Sequence, residues 1–131
     1  MHPFRRAVEA RDPDALIAVL AEDVVFRSPV VFRPYVGRDT VAPILRAAIE
    51  VFEDFRYVQE IGAPDGTDHA LVFRATVAGC QLEGTDLLRT GTDGTVVELA
   101  VLVRPMTAVV ALAESMRARL AARAESSVEA G

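Results

Sequence analysis

The chain of 131 residues is poor in several reactive residue types, since it has no tryptophan, no lysine and a single cysteine. The absence of lysine excludes Schiff-base catalysis through a lysine amine. Cys80 cannot form an internal disulfide, which agrees with a reducing compartment. No sequence feature supplies a base for Cys80, so we do not expect a cysteine nucleophile.

The chain also lacks an excess of positive charge, because 19 acidic residues outnumber 14 basic ones and give a net charge of −5. Nucleic acids and anionic membranes bind basic patches, and none is present, so we expect neither as a partner. His2, His69 and Cys80 do not have the spacing of metal ligands, and no glycine-rich phosphate loop is found. We therefore expect no metal and no cofactor.

Long apolar segments are missing as well. No run of about 18 apolar residues could span a membrane, and no charged-then-apolar leader is present, so we expect a cytoplasmic location. All 14 basic residues are arginines, which together with abundant alanine favours a high-GC bacterial source. A hydrophobic content of 51% and a charged content of 25% are ordinary for a globular protein. We expect one domain over residues 1–123 and a disordered tail over residues 124–131.

The most informative stretch of the chain, residues 84–104, reads as a β-hairpin. Asp93-Gly94 lies between two β-rich runs and predicts a type I′ turn, which needs positive φ at both central residues. Facing residues then have numbers that sum to 187. This register predicts two cross-strand ion pairs on one side of the ribbon, Arg89 with Glu98 and Glu83 with Arg104.

The other side of this hairpin carries a single carboxylate, Asp86, among aliphatic residues. A carboxylate there costs free energy unless it is paired or protonated. One interpretation is a structural residue bonded to a backbone amide or to a tyrosine, for which Tyr57 and Tyr35 are the candidates. The other is a group that contacts a ligand. Desolvation predicts a pKa above the usual value of about 3.9.

The remaining segments predict helices first, then strands, then a final helix. The predicted helices cover residues 3–11 and 13–21, a longer helix capped by Asp39 or Thr40 with Pro43 in its first turn, and residues 106–123. The predicted strands cover residues 24–27, 55–61, 70–77 and 82–90 and the second arm of the hairpin. Residues 28–37 and 63–66 are read as a loop and a turn.

This order of elements resembles the nuclear transport factor 2-like superfamily, and within it the bacterial ketosteroid isomerase-like and SnoaL-like proteins. The resemblance covers residues 3–104 and rests on four segments: Asp12-Pro13-Asp14-Ala15-Leu16, residues 20–26, Val36-Gly37-Arg38-Asp39, and Asp86-Leu87-Leu88-Arg89 through Asp93-Gly94. It implies a cone-shaped α+β fold, in which a strongly curved, mostly antiparallel sheet wraps around a long helix. The C-terminal helix is an addition to that fold.

Two further expectations follow from the resemblance. The cone encloses an apolar cavity that is open at one end. Many members also form homodimers through the outer face of the sheet. In this chain that face includes Leu87, Ala100 and Leu102, which are apolar enough to be covered. We therefore expect a homodimer formed through the sheet.

The isomerase-like members use three polar groups in the cavity, and this chain matches one of them. The general base, an Asp before a Pro, corresponds to Ser28 before Pro29, and a serine hydroxyl cannot hold a proton in transit without a base of its own. The oxyanion-hole tyrosine of the first helix corresponds to Phe4, which has no hydroxyl. Only the protonated Asp is matched, by Asp86. We therefore expect no steroid isomerase activity.

Two other chemistries of the superfamily are matched no better. Epoxide hydrolase members carry an Arg and an Asp two residues apart on one strand, and Arg74 lacks that acid. Their second Asp lies on the last strand, where this chain has only Glu98, which points away from Asp86. Dehydratase members use cavity histidines, whereas His2 lies at the N-terminus and His69 lies in a predicted turn.

We expect a cavity for a small, largely apolar molecule, with Asp86 as its main polar contact and as the candidate catalytic acid or base. The expected lining combines aromatic, aliphatic and polar residues: Phe4, Phe26, Ser28, Phe32, Tyr35, Phe52, Phe55, Tyr57, Phe73, Asp86, Leu88, Leu99 and Val101.

Three functions stay open. The first is a binding or accessory protein without catalysis, which a dry cavity with Asp86 tied to backbone favours. The second is an isomerase, cyclase or dehydratase for a polyketide- or steroid-like substrate, with Ser28 and a water assisting Asp86. A wet cavity with Asp86 beside a second titratable group favours that enzyme. The third is a purely structural dimer, which a filled core favours.

Overall fold

The structure, a computed structural model, describes the backbone of residues 2–130 and the side chains of residues 2–125. Over this range the helices and strands have the following order: α1 (Pro3–Glu9), α2 (Pro13–Ala18), β1 (Leu20–Arg27), β2 (Tyr35–Val36), α3 (Arg38–Val51), β3 (Glu53–Ile61), β4 (Asp68–Val77), β5 (Cys80–Thr90), β6 (Val96–Arg104) and α4 (Met106–Ala130).

The strands form one sheet in the order β2-β1-β6-β5-β4-β3. All neighbouring strands are antiparallel except β1 and β6, which are parallel. On the inner face of the sheet, α3 packs against β1 and β2, whereas α4 packs against β4, β5 and β6. The sheet does not close into a barrel, and the expected α+β cone with a mostly antiparallel sheet is confirmed.

The two N-terminal helices end earlier than predicted. The side chain of Asp12 accepts a hydrogen bond from the backbone of Ala15 at 3.1 Å, so the predicted cap of α2 is confirmed. The first helix stops at Glu9 because the chain turns at Arg11, whose φ is +51°. The second stops at Ala18 because the next carbonyl, that of Val19, accepts a hydrogen bond from the strand β6.

The long helix α3 begins one residue before the predicted caps. Gly37 occupies the N-cap position with a φ of +98°, a conformation that L side chains rarely adopt. Its carbonyl accepts hydrogen bonds from Thr40 and Val41. The prediction of Asp39 or Thr40 as the cap is therefore wrong. Pro43 lies in the second turn, not the first, at the cost of one helical hydrogen bond.

The predicted register of the β5–β6 hairpin is confirmed, but its turn is not type I′. Facing numbers sum to 187 from Glu83–Arg104 to Arg89–Glu98. In the loop, Gly94 has a φ of +83° whereas Asp93 is not among the residues with positive φ. The backbone of Gly94 bonds to Gly91 at 3.0 Å, and that of Gly91 bonds to Thr95 at 2.9 Å.

A bulge next to this loop restores the predicted register. Thr90 pairs with Val96, which leaves Val97 as an extra residue before the pairing of Arg89 with Glu98. The carboxylate of Asp93 accepts hydrogen bonds from the backbone and the hydroxyl of Thr95 at 3.0 and 2.7 Å. These hydrogen bonds from Thr95 to Asp93 favour a turn in which only Gly94 has a positive φ.

Strand alternation separates a polar outer face from an apolar inner face. The predicted pairs Arg89–Glu98 and Arg104–Glu83 are present at 3.5 and 3.8 Å. Further outer-face pairs extend both clusters: Arg27–Glu98, Arg89–Asp68 and Arg74–Glu83. Exposed ion pairs contribute only about 0–1 kcal/mol each, so their main effect is to keep this face of the hairpin outside the core.

The helix α4 extends past the predicted end near Arg123 to Ala130. The predicted disorder of residues 124–131 stays a prediction, because the side chains of 126–130 and the whole of Gly131 lie outside the described residues. Within the described range, no helix is long and apolar enough to cross a membrane.

Candidate functional site

A cavity of about 430 Å³ lies between the inner face of the sheet and the helices. Its walls are mostly aromatic and aliphatic, as expected for a site that takes an apolar ligand. Eleven of the residues expected from the sequence lie on its wall: Phe4, Phe26, Ser28, Tyr35, Phe52, Phe55, Tyr57, Phe73, Asp86, Leu99 and Val101.

Two expected residues do not line the cavity. Phe32 lies in the loop between β1 and β2, and its side chain is fully exposed. Leu88 is on the inner face of β5 but belongs to the buried core, two residues nearer the hairpin loop than Asp86. There the inner face is filled by core side chains, so no space remains for a ligand.

Sequence reasoning missed the part of the wall that the helices and one loop supply. These residues are Val8, Glu9, Arg11, Leu16, Pro29, Val30, Val31, Ile44, Leu45, Ala48, Ile49, Leu112, Ala113, Met116, Arg117 and Leu120. Both α3 and α4 present an apolar helical repeat to the cavity. Such a repeat predicts an inward face but does not distinguish a packed core from a cavity wall.

Four aromatic rings form one side of the cavity. Phe55 stacks on Phe73 at 4.7 Å between ring centroids, and Tyr57 and Phe52 meet Phe55 edge-on at 5.0 and 5.6 Å. Gly84 allows this arrangement, because a Cβ atom there would lie 2.2 Å from the ring of Phe73. The absence of a side chain on β5 therefore lets the Phe73 ring lie across that strand.

Asp86 is bonded to Tyr57 at this aromatic wall. The hydroxyl of Tyr57 donates a hydrogen bond to Oδ2 of Asp86 at 2.7 Å, and the two residues are only 8% and 6% exposed. The tyrosine partner foreseen for Asp86 is therefore present, whereas Tyr35 stacks on Phe26 at 6.1 Å instead. Strand alternation explains the pair, since Asp86 and Tyr57 both lie on the inner face of the sheet.

Burial sets the protonation of this pair. Desolvation raises the pKa of Asp86 from 3.8 to about 7, and the hydrogen bond from Tyr57 lowers it only in part. The predicted upward direction is confirmed. Desolvation and the nearby carboxyl also raise the pKa of Tyr57 far above its ordinary value. Tyr57 is therefore a permanent hydrogen-bond donor, whereas Asp86 gains or loses a proton close to neutrality.

Arg5 borders the same pair from α1. Its guanidinium carbon lies 5.6 Å from the ring centroid of Tyr57. Two carboxylates hold Arg5 there, Glu9 at 2.7 Å and Glu60 at 3.6 Å. Because these two carboxylates neutralise the charge of Arg5, Arg5 does not shift the pKa of Asp86.

Ser28, His2 and His69 are not placed to act as an acid or a base in the cavity. The hydroxyl of Ser28 accepts a hydrogen bond from the backbone of Val30 at 3.1 Å. His2 and His69 contact each other at 4.8 Å and do not line the cavity. Among the described residues, no group of three or more His, Cys, Asp and Glu side chains could hold a metal ion.

Comparison with known families gives one match. The family model of the SnoaL-like domain matches residues 2–99, which include β1 to β5 and the start of β6 but not α4. No protein with a curated description matches the chain.

Two solved structures are similar over almost the whole chain. A steroid delta-isomerase from Pseudomonas aeruginosa has 38% identity and a TM-score of 0.88, over 93% of this chain and 89% of its own. An uncharacterised protein with a cystatin-like fold from Silicibacter pomeroyi has 36% identity and a TM-score of 0.84, over 91% of this chain and 86% of its own.

A more distant structure shares the fold alone. The epoxide hydrolase/cyclase-like enzyme SalBIII, of pyran ring formation in the polyether salinomycin, has 17% identity and a TM-score of 0.65. It covers 80% of this chain, and the match covers 87% of its own length. One fold thus carries different chemistries, so activity has to be argued from the cavity of each protein.

The pKa of Asp86 leads to a prediction for the Asp86→Asn variant. The unfolded chain ionises Asp86 near pH 3.8 and the folded protein only near pH 7. A raised pKa therefore costs the wild type stability as pH rises through this window, up to roughly 4 kcal/mol in the free energy of unfolding. Asp86→Asn lacks this loss, so it should match the wild type at low pH and exceed it above neutrality.

Urea denaturation at a series of pH values measures this difference. The control is Asp65→Asn, which removes an exposed carboxylate in a turn and should leave the pH profile unchanged. Parallel profiles of the wild type and Asp86→Asn across the whole window would contradict the raised pKa.

Proposed function

Because this chain belongs to the SnoaL-like family of the nuclear transport factor 2-like superfamily, we propose that its cavity binds a small, largely apolar molecule without steroid isomerase activity. The ligand places one oxygen-bearing group against Asp86 and Tyr57. The observation that carries this proposal is the hydrogen-bonded pair at 2.7 Å on the wall of an otherwise apolar cavity of about 430 Å³.

The Tyr57–Asp86 pair favours a ligand oxygen that accepts a hydrogen bond. Tyr57 donates its hydrogen to Asp86. When Asp86 is protonated, its second oxygen is left to donate into the cavity. A carbonyl oxygen of the ligand accepts that hydrogen bond, and in an apolar cavity such a bond discriminates strongly against a ligand without an acceptor.

The similarity to a steroid delta-isomerase does not supply the missing base. Tyr57 lies on β3 rather than on α1 and donates its only hydrogen to Asp86, so the pair offers an enolate oxygen one donor, the protonated carboxyl of Asp86. The position of the general base still holds Ser28, whose hydroxyl accepts only the backbone hydrogen bond of Val30. Proton abstraction from a substrate carbon therefore has no acceptor there.

Acid–base catalysis by Asp86 itself is the second candidate, of the isomerase, cyclase or dehydratase kind. A carboxyl with a pKa of about 7 is matched to proton transfer at neutral pH. Tyr57 lies beside Asp86 but keeps its proton, because desolvation raises its pKa far above neutrality, so it is not a second group that exchanges protons. A cavity of about 430 Å³ gives no support to the third candidate, the structural dimer with a filled core.

Ligand binding can be tested with prodan, a fluorescent naphthyl ketone, and with dimethylaminonaphthalene, which lacks the ketone. We expect the dissociation constant of prodan to rise about fivefold from pH 6 to pH 8.5, the equivalent of one hydrogen bond of about 1 kcal/mol. The reason is that Asp86 loses the proton that it donates to the ketone. Fluorescence titration measures both probes.

The controls separate the carboxyl from the rest of the cavity. Dimethylaminonaphthalene should bind with the same affinity at both pH values, and Asp86→Asn should make prodan binding independent of pH. Failure of both probes to bind at any pH would contradict the proposed function. A pH effect on prodan that persists in Asp86→Asn would exclude Asp86 as its source.

The absence of steroid isomerase activity can be tested directly. A steroid β,γ-enone should be converted by the protein no faster than in buffer, because Ser28 cannot take the proton. Absorbance of the conjugated enone follows the reaction. Turnover that disappears in Asp86→Ala would show that the assignment of the base position to Ser28 is wrong.

We further propose a homodimer formed through the outer face of the sheet. Leu87 and Leu102 are 42% and 57% exposed there, between the two clusters of ion pairs. Exposed leucines in the middle of an otherwise charged sheet face are normally covered. A two-fold axis would also bring both signs of charge on one copy to both signs on the other.

Sedimentation equilibrium tests this proposal. The wild type should have twice the mass of the 14.1 kDa chain at micromolar concentration. Leu102→Asp should give a monomer, because a charge in a dimer interface is costly to bury. Val110→Asp alters an equally exposed apolar residue on α4 and should leave the dimer intact. A wild-type monomer would contradict the proposal.

A further inference from the structure

The charged residues on the cavity wall are few, and they differ in whether their charge is neutralised. They are Glu9, Arg11, Asp86 and Arg117. Glu9 forms an ion pair with Arg5 at 2.7 Å. Within residues 2–125, neither Arg11 nor Arg117 has a carboxylate at ion-pair distance. The cavity thus has two uncompensated guanidinium groups.

Arg11 is held at the edge of the cavity by a contact with α3. It lies in the short connection between α1 and α2, and its Nη2 donates a hydrogen bond to the carbonyl of Ile49 at 2.8 Å. A single backbone carbonyl uses one of the five hydrogens of a guanidinium group. Since Arg11 is exposed, its remaining hydrogens are accessible to a ligand that reaches the edge.

Arg117 differs from its neighbours on α4 in the same respect. Arg119 and Arg123 both bind Glu50 on α3, at 3.3 and 2.6 Å. Arg117 points instead along the face that carries Ala113 and Leu120, both of which line the cavity. Its side chain is exposed, so its charge lies where the cavity meets solvent.

The polar residues of the wall therefore form two sets. Asp86 and Tyr57 are buried, whereas Arg11 and Arg117 are exposed. Both arginines lie near the C-terminal part of α3, because Arg11 binds Ile49 and the α4 neighbours of Arg117 bind Glu50. Guanidinium groups bind carboxylates through paired hydrogen bonds, so two uncompensated guanidinium groups on the exposed part of the wall suit that anion.

We propose that the ligand is an amphipathic carboxylic acid, whose apolar body fills the cavity while its carboxylate binds Arg11 and Arg117. This inference rests on the proposed function and adds the second polar group of the ligand. The ligand has a carbonyl or hydroxyl oxygen at the end that meets Asp86 and Tyr57. A neutral hydrocarbon or simple ketone uses only part of the site.

Acetylnaphthoic acid, with its ketone and carboxylate at opposite ends of the ring system, and its uncharged methyl ester provide the test. At about pH 6 the acid is ionised. Arg11→Gln and Arg117→Gln should each raise the dissociation constant of the acid two- to fivefold, and the double variant about tenfold, as expected for exposed charge pairs. The ester should bind all of these proteins with the same affinity within about twofold.

Two controls test whether the effect comes from arginines at the cavity or only from the net charge of the protein. Arg56→Gln removes the same charge from the outer side of β3 and should change neither dissociation constant. Raising the salt from about 20 to about 500 mM should weaken binding of the acid and leave the ester unaffected, because salt screens exposed charges.

The outcomes separate this inference from the proposed function. If the acid and the ester both bind and the arginine variants do not distinguish them, the carboxylate site is contradicted while the apolar site stands. If neither compound binds the wild type, the proposed function fails, and the inference fails with it. Loss of acid binding in Arg56→Gln to the same extent would also overturn the inference, since bulk charge would then explain the effect.

Discussion

The hydrogen bond between Tyr57 and Asp86 is the interaction on which the site depends. It joins strands that lie at different positions in the sheet, β3 and β5, and it satisfies a carboxyl that is otherwise surrounded by apolar side chains. Because one neutral donor offsets only part of the desolvation cost, Asp86 holds its proton to about pH 7. The buried polarity of the cavity is thus concentrated at this pair, and the wall around the pair is aromatic and aliphatic.

The position of Asp86 could be predicted from the sequence, although the turn that supported the prediction was wrong. Alternation along β5 and β6 decides which side chains face inward, and it requires only the correct register. A bulge at Val97 compensates for the different loop at Gly94, so the facing pairs were right. A two-residue turn without a bulge and a longer loop followed by a bulge give the same register, so the sequence pattern does not distinguish the two.

The helical part of the cavity wall could not be predicted in the same way. A helix that faces a cavity and a helix that faces a packed core have the same apolar repeat, so the sequence does not identify Met116 and Leu120 as wall residues. Phe32 shows the reverse error, since an aromatic residue in a loop has no periodicity to place it, and it is exposed. Arg11 and Arg117 were missed because their role depends on which arginines find a carboxylate, which is a property of the folded chain.

In the structure, the carboxyl of Asp86 keeps its proton close to neutrality because the cavity around it is apolar. A carbon-detected NMR titration of the aspartate carboxyl groups, with Asp86 assigned by the Asp86→Asn variant, measures this protonation most directly. We expect a pKa for Asp86 of about 7, well above the ordinary value of 3.8. A value at or below the ordinary 3.8 would contradict this expectation, because Asp86 would then be ionised in the cavity at every pH at which the protein works.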